Sequence, residues 1–263
     1  MTAQTERRLD FTPRPGSASA GAMVRSQVLM ELRLLSRNGE QLLLTLVIPL
    51  LLLVMGTRSD AVVDLGPGRS IDIITPGVLA LAVMSTSFTS LAIATGFERR
   101  YSVLKRLGAS PLPRWGLLAG KIGAVVVVEA IQLLILTSVA RLVGWHPHGG
   151  WTAFAWMVLL VLLGTAAFGA LGLLIAGTLR AEATLAVANL VYVLLLVGGG
   201  LLVPLTRYPG STHRLLELLP SGALGEGLRD VFAGLPPDAT AVMVLTVWAV
   251  VAGAVTSKTF RWE

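Results

Sequence analysis

The stretch FERRYSVLKRLGASPLPRWGLLAGK, residues 97–121, lies between two long apolar runs and reads as a basic island. Its six cations, Arg99, Arg100, Lys105, Arg106, Arg114 and Lys121, face one anion, Glu98. Short cation-rich loops of membrane proteins stay on the cytoplasmic side. The island therefore predicts a polytopic membrane protein and orients everything on either side of it. It also marks a surface where a soluble cytoplasmic partner can dock.

Composition points the same way. Hydrophobic residues make up 54% of the chain and charged residues 14%, against roughly a quarter charged in soluble domains. Mean hydropathy is +0.75. A net charge of +6 would suggest nucleic acid in a soluble protein. Here the cations sit at the edges of apolar runs, where topology and contact with anionic membrane lipids explain them, so no nucleic-acid partner is expected. The absence of cysteine excludes disulfides, thiol catalysis and Cys-ligated metals. The first apolar run begins only near Leu42, later than the apolar core of a secretory signal. Residues 1–22, rich in Thr, Pro, Gly, Ser and Ala, read as a disordered tail.

A membrane span needs about 20 mostly apolar residues. Working outward from the island, about six are expected, at 41–56, 76–96, 117–140, 152–179, 183–205 and 240–257. With the N-terminus inside, the inner segments 1–40, 97–121, 180–182 and 258–263 carry net charges of +2, +5, 0 and +1. The outer segments 57–75, 141–151 and 206–238 carry −1, +1 and −1. This asymmetry puts both termini in the cytoplasm. Trp115, Trp145, Trp151 and Trp262 fall at span ends, as an aromatic belt would have them. Residues 23–37 form an amphipathic pattern, with Val24, Val28, Leu32 and Leu35 at helical spacing, suited to the inner interface. Residues 206–238 hold two apolar-patterned pieces split by Pro220, each too short to span, which predicts a re-entrant helical hairpin on the outer side. The fold class is thus an all-α polytopic membrane protein, with residues 23–263 as a single transmembrane domain.

The chain lacks the usual catalytic signatures. Gly120-Lys121 is followed by Ile122 and has no upstream glycine at the phosphate-loop spacing, so the chain should not hydrolyse nucleotide itself. No metal or catalytic site is expected. Glu129 is the one ionisable residue deep in a span, with Gln132 one turn away. An intramembrane charge is costly and marks a functional candidate, so the pair could line a cargo path or a seam between subunits. A helix–helix hydrogen bond is the structural alternative.

The island has internal order. Glu98, Arg99 and Arg100 close the second span, Val103, Leu104 and Leu107 are apolar on a short helix, and Lys105 and Arg106 point elsewhere. Ser110-Pro111-Leu112-Pro113 stops that helix. At these residues the chain resembles a permease subunit of the ABC-2 family of ATP-binding-cassette exporters, of the bacterial daunorubicin-resistance type. That family's loop reads as Glu, a basic pair, Gly-Thr, Leu-Lys-Arg-Leu, a small pair, Pro-Leu, and Gly-Lys opening the next span. Glu98, Leu104-Lys105-Arg106-Leu107, Ala109-Ser110, Pro111-Leu112 and Gly120-Lys121 match, while Tyr101-Ser102-Val103 stands where Gly-Thr is usual. Glu226-Gly227-Leu228-Arg229 in the hairpin is also similar.

The resemblance implies an exporter subunit that moves an amphiphilic, drug-like or lipid-like cargo. It would be driven by a separate ATPase, expected in two copies, that carries the ATP and Mg and docks on 97–116. It also implies dimerisation with itself or a paralogue. The coupling residues would be Glu98, Arg99, Arg100, Leu104, Lys105, Arg106, Leu107 and Pro111, with the two leucines buried in the ATPase. A secondary transporter would need more intramembrane ionisable sites and a repeat. A lipid-modifying enzyme would need an acid/base pair in the spans, where only Glu129 qualifies.

Overall fold

The computed structural model describes residues 16, 18–37, 39–56, 69–108 and 112–260. Among them every regular element is a helix. In chain order these are α1 (Ala20–Arg37), α2 (Gly39–Gly56), α3 (Ser70–Met84), a π turn (Ser85–Ser90), α4 (Leu91–Arg100) and α5 (Val103–Gly108). There follow α6 (Arg114–Leu142), α7 (Gly150–Thr178), α8 (Ala181–Gly198), α9 (Gly210–Glu217), α10 (Pro220–Phe232) and α11 (Ala239–Thr259). Five stretches are long and apolar enough to cross a bilayer: Ser70–Arg100, Trp115–Leu142, Gly150–Thr178, Ala181–Gly198 and Ala239–Thr259. A shorter apolar stretch, Thr45–Gly56, lies in α2. The chain is an all-helical, multi-pass membrane protein.

The bundle has two unlike ends. At one, the basic end, the C-terminus of α4 meets the C-terminus of α7 through Arg99 and the start of α8 through Arg100. At the other, the hairpin end, the backbone of His148 donates to the carbonyl of Phe232 at 3.0 Å, tying the α6–α7 loop to α10.

α3 is the central rod, with every residue from Ile74 to Met84 buried. α10 starts with Pro220, whose fixed φ suits the first helical position. It turns Leu224, Leu228 and Val231, all fully buried, into the space between α3, α7 and α11. Lipid is as apolar as leucine, so these contacts hold by close packing and not by exclusion of water. α7 contributes a matching run of small buried residues, Gly164, Gly169, Gly172, Ala176 and Gly177.

Four expectations are corrected. The second span runs from 70 to 100, longer at both ends than 76–96, and is interrupted by the π turn. Five of the six residues of that turn are Ser or Thr. The Ser87 hydroxyl donates to the Val83 carbonyl at 2.6 Å, and such back-bonding competes with the α ladder. The fifth span ends at Gly198, not 205, because Gly200 takes a left-handed φ of 61° and turns the chain aside. Trp145 does not join an interfacial belt: it is 2% exposed and packs edge-on against Phe232 with ring centres 4.9 Å apart. Trp115 and Trp151 are exposed, and Trp262 lies outside the described residues. Helix α1 begins at Ala20, inside the segment expected to be disordered, whose residues 1–15 also lie outside the described set.

Candidate functional site

The basic end is built on a buried ion cluster. Lys121, in the second turn of α6, is 2% exposed although it is an ammonium. Its Nζ lies 2.7 Å from Glu98 Oε1, 2.6 Å from Glu98 Oε2 and 2.9 Å from Glu31 Oε1. Glu31 comes from α1, where Gln27 Nε2 donates to the same oxygen at 2.9 Å. Three helices, α1, α4 and α6, are thereby joined at one cation. The approach of α1 requires a glycine on α6, since a Cβ at Gly120 would collide with the Gln27 side chain. Gly120-Lys121 thus acts as a pair: the glycine admits α1 and the lysine binds it.

The remaining island residues divide by where their side chains go. Arg99 donates from Nη1 to the carbonyls of Ala176 at 2.9 Å and Leu179 at 3.1 Å. The last carbonyls of a helix lack intrahelical donors, so Arg99 closes the end of α7. Arg100 pairs with Glu182 in the first turn of α8, in an exposed contact. The chain then turns at Ser102, whose φ of 58° is left-handed, before α5 begins. That geometry favours glycine and costs a serine about 1–2 kcal/mol.

α4 and α5 are separate helices. Glu98, Arg99 and Arg100 complete α4, and α5 is a separate turn and a half. On α5, Leu104 is 1% exposed and packs inside its own chain, so the expectation that it inserts into a partner is not met by its position. Lys105 and Arg106 face outward and Leu107 is half-buried. Pro111 lies outside the described residues.

A second cluster sits halfway along the bundle. Gln132 Oε1 accepts from the Thr86 hydroxyl at 2.8 Å, and its Nε2 donates to the Thr45 carbonyl at 2.6 Å. One amide therefore joins α6 to the π turn and to α2. Glu129, 2% exposed, accepts from the Thr165 hydroxyl at 2.6 Å, linking α6 to α7. Both residues are held by hydrogen bonds to neighbouring helices. Among the described residues no group of three or more His, Asp or Glu is placed to hold a metal ion.

The hairpin end has its own anchor. Arg229 of α10 donates from Nη2 to the carbonyls of Gly200 at 2.8 Å and Leu201 at 2.9 Å, and from Nη1 to Glu226 Oε1 at 2.7 Å. Glu226 Oε1 also accepts from the Leu205 backbone at 2.9 Å. The irregular chain after α8 is satisfied by this pair, which is what non-helical backbone in a membrane protein needs. Burial lowers the Arg229 pKa from its ordinary value, and the paired Glu226 opposes that. Gly77 on α3 lets the turn approach, because a Cβ there would strike the Leu201 carbonyl.

The sequence reading missed the burial of Lys121 and the role of Arg229. By sequence alone Lys121 groups with the cations that set topology. The signal for the first was a lysine just inside an apolar run, with Glu31 on the polar face of a preceding amphipathic helix. The signal for the second was the i,i+3 spacing of Glu226 and Arg229 beside a Gly-rich break.

The geometry combines an amphipathic helix bound to α6, a short cationic helix between two spans, and a hairpin of two short helices. The profile of the ABC-2 type transporter matches residues 25–233, which takes in all three. The chain belongs to the ABC-2 type transporter family. It is also similar to a Bacillus subtilis (strain 168) protein named as a transport permease, YvfS, at 25% identity over 169 residues, covering 64% of this chain and 68% of that one.

Proposed function

We propose that this ABC-2 family chain is the membrane half of an exporter, driven by a separate ATPase that docks on the cytoplasmic face of α5. The observation that carries this reading is the fixed base of α5. Glu98 before it and Lys121 after it are joined by a buried ion pair, while Lys105 and Arg106 are presented outward. A force on α5 is then transmitted to α4 and α6 together, and through Glu31 to α1. The ATPase, in two copies, binds the ATP and Mg, and this chain supplies no phosphate loop. A second permease, either itself or a paralogue, completes the complex. The cargo is an amphiphile, drug-like or lipid-like, and its direction is outward across the plasma membrane, with both chain termini in the cytoplasm.

The test is a pull-down of the tagged chain in mild detergent from its native host, with partners identified by mass spectrometry. A P-loop ATPase without membrane spans should co-purify, and should be lost when Lys105 and Arg106 are both changed to Glu. Recovery of the chain with no such ATPase would sink the proposal.

A further inference from the structure

The π turn Ser85–Ser90 sits inside the second span. Its hydrogen bonds close over five residues in place of four, so it holds one residue more than an α turn. Both ends of the span are fixed. Towards the hairpin end, Arg229 Nε donates to the Ile73 carbonyl at 3.4 Å, and Gly77 lies against the Leu201 carbonyl. Towards the basic end, Glu98 is bound to Lys121 and Arg99 to the end of α7. The spare residue is held between two anchors.

Hydroxyl groups mark where it sits. Threonines in this bundle donate to the carbonyl four residues back, as Thr75, Thr165 and Thr246 do at 2.7 or 2.8 Å. Two in the second span do not. Thr89 Oγ1 and Thr95 Oγ1 are buried and have no hydrogen-bond partner. The Ser85 carbonyl, four residues before Thr89, is taken at 3.3 Å by the hydroxyl of Ser90, five residues on. That is the π spacing, and the same spacing separates Ser90 from Thr95. An advance of the π turn to 90–95 gives both idle hydroxyls an acceptor. Thr89 then reaches the Ser85 carbonyl at α spacing, and Thr95 reaches the Ser90 carbonyl at π spacing. One long hydroxyl bond is exchanged for two.

We propose that the π turn has two resting places along the second span, 85–90 and 90–95, and migrates between them while both ends of the span stay anchored. The residues in between shift by one position, about 1.5 Å along the helix axis and about 100° around it. Room for this exists. Ser90 and Leu91 line a cavity of about 40 Å³ among the span, α1 and α6. On the α7 side the Phe88 carbonyl rests against Gly172, where a Cβ would stand 2.7 Å from it, so no side chain obstructs the turn at that point. The middle of the span thereby changes the face it shows to α6, and the Glu98–Lys121 base keeps its place.

The test is fluorine NMR of the full chain in nanodiscs, with 4-fluorophenylalanine at its seven phenylalanines and the Phe88 signal assigned by Phe88→Leu. Phe88 lies in the π turn and should report two states. Slow exchange gives separate resonances, and exchange in the μs–ms range gives relaxation dispersion. Thr89→Val with Thr95→Val should lower the second state by about threefold for each hydrogen bond lost, the size usual for side-chain bonds between membrane helices. Thr75→Val, whose hydroxyl is already engaged within α3, should leave the ratio unchanged. Ala124→Val narrows the cavity from the α6 side and alters neither hydroxyl. It should also deplete the second state, and it serves if the double variant fails to fold. A single state at Phe88 in the wild type, a ratio unmoved by the double variant or by Ala124→Val, or an equal loss in Thr75→Val would overturn the proposal. The measurement involves no ATPase, so its failure leaves docking on α5 untouched.

Discussion

Lys121 Nζ lies 2.6 Å from Glu98 Oε2, closing the base of the loop that carries α5. The two residues are twenty-three positions apart in the chain, and Glu31 of α1 completes the contact. The loop is thus a stalk on a buried pedestal and not a free cytoplasmic tether.

Removing the cation should be costly. Lys121→Met leaves two buried carboxylates facing each other, and breaking a buried ion pair from one side costs about 3–5 kcal/mol. The expected result is a sharp loss of monodisperse protein in detergent, measured by fluorescence-detected gel filtration. The triple change Lys121→Met, Glu31→Gln, Glu98→Gln should recover much of it. A thermally normal Lys121→Met protein would show that the cluster contributes no stability.

Arg229→Leu should loosen the hairpin end. It strips donors from the Gly200 and Leu201 carbonyls, at about 1–3 kcal/mol for a buried group left unsatisfied. Limited proteolysis should then cut within residues 199–208 at rates the wild type does not show. Arg229→Lys, which offers a point charge and no planar fork, should fall between the two.

The Gln132–Thr86 contact can be weighed by a double-mutant cycle with Gln132→Leu and Thr86→Val, read as thermal stability in detergent. Interhelical hydrogen bonds in membrane proteins average roughly 0.6 kcal/mol, with a maximum near 1.7. A coupling energy in that range is expected, and one indistinguishable from zero would make the contact incidental to folding.

The outward face of α5 should separate docking from folding. Lys105→Glu with Arg106→Glu alters exposed residues, so the stability change should stay within about 0.5 kcal/mol. ATPase association should fall and its salt dependence flatten. Leu104→Asp should do the reverse and reduce folded yield, because it places a charge among its own helices. Normal yield of Leu104→Asp with lost ATPase binding would restore Leu104 as a docking residue.

Orientation is open to a direct probe, since the chain has no native cysteine. A cysteine replacing Lys105 should resist an impermeant maleimide added to intact cells, and one replacing Thr212 should react. The opposite pattern would invert the topology argued from the charges.

Much of the bundle was legible because lipid imposes a simple rule: a span must be long, apolar and helical, and cations gather at one face. The split at Pro220 could be read for the same reason. Three features could not. The π turn depends on where Ser87 and its neighbours send their hydroxyl protons, which composition does not encode. The burial of Lys121 depends on α1 crossing α6 at Gly120, a tertiary meeting between segments far apart in sequence. The place of Leu104 is hidden because a short amphipathic pattern says which side is apolar, not whose surface covers it.

The unequal lengths of the helices have a consequence for the surrounding membrane. α6 and α7 have 29 residues each and α8 has 18, so at 1.5 Å per residue they rise about 43 Å and about 27 Å. The hydrocarbon layer is about 30 Å thick. The α6 and α7 helices are longer than that layer and α8 is slightly shorter, a mismatch met by tilt, projection, snorkelling of flanking residues or local thinning of lipid. Tilt or projection on one flank and thinning on the other are the ways such lengths are reconciled with a bilayer, so acyl-chain length is a variable to which the bundle is exposed.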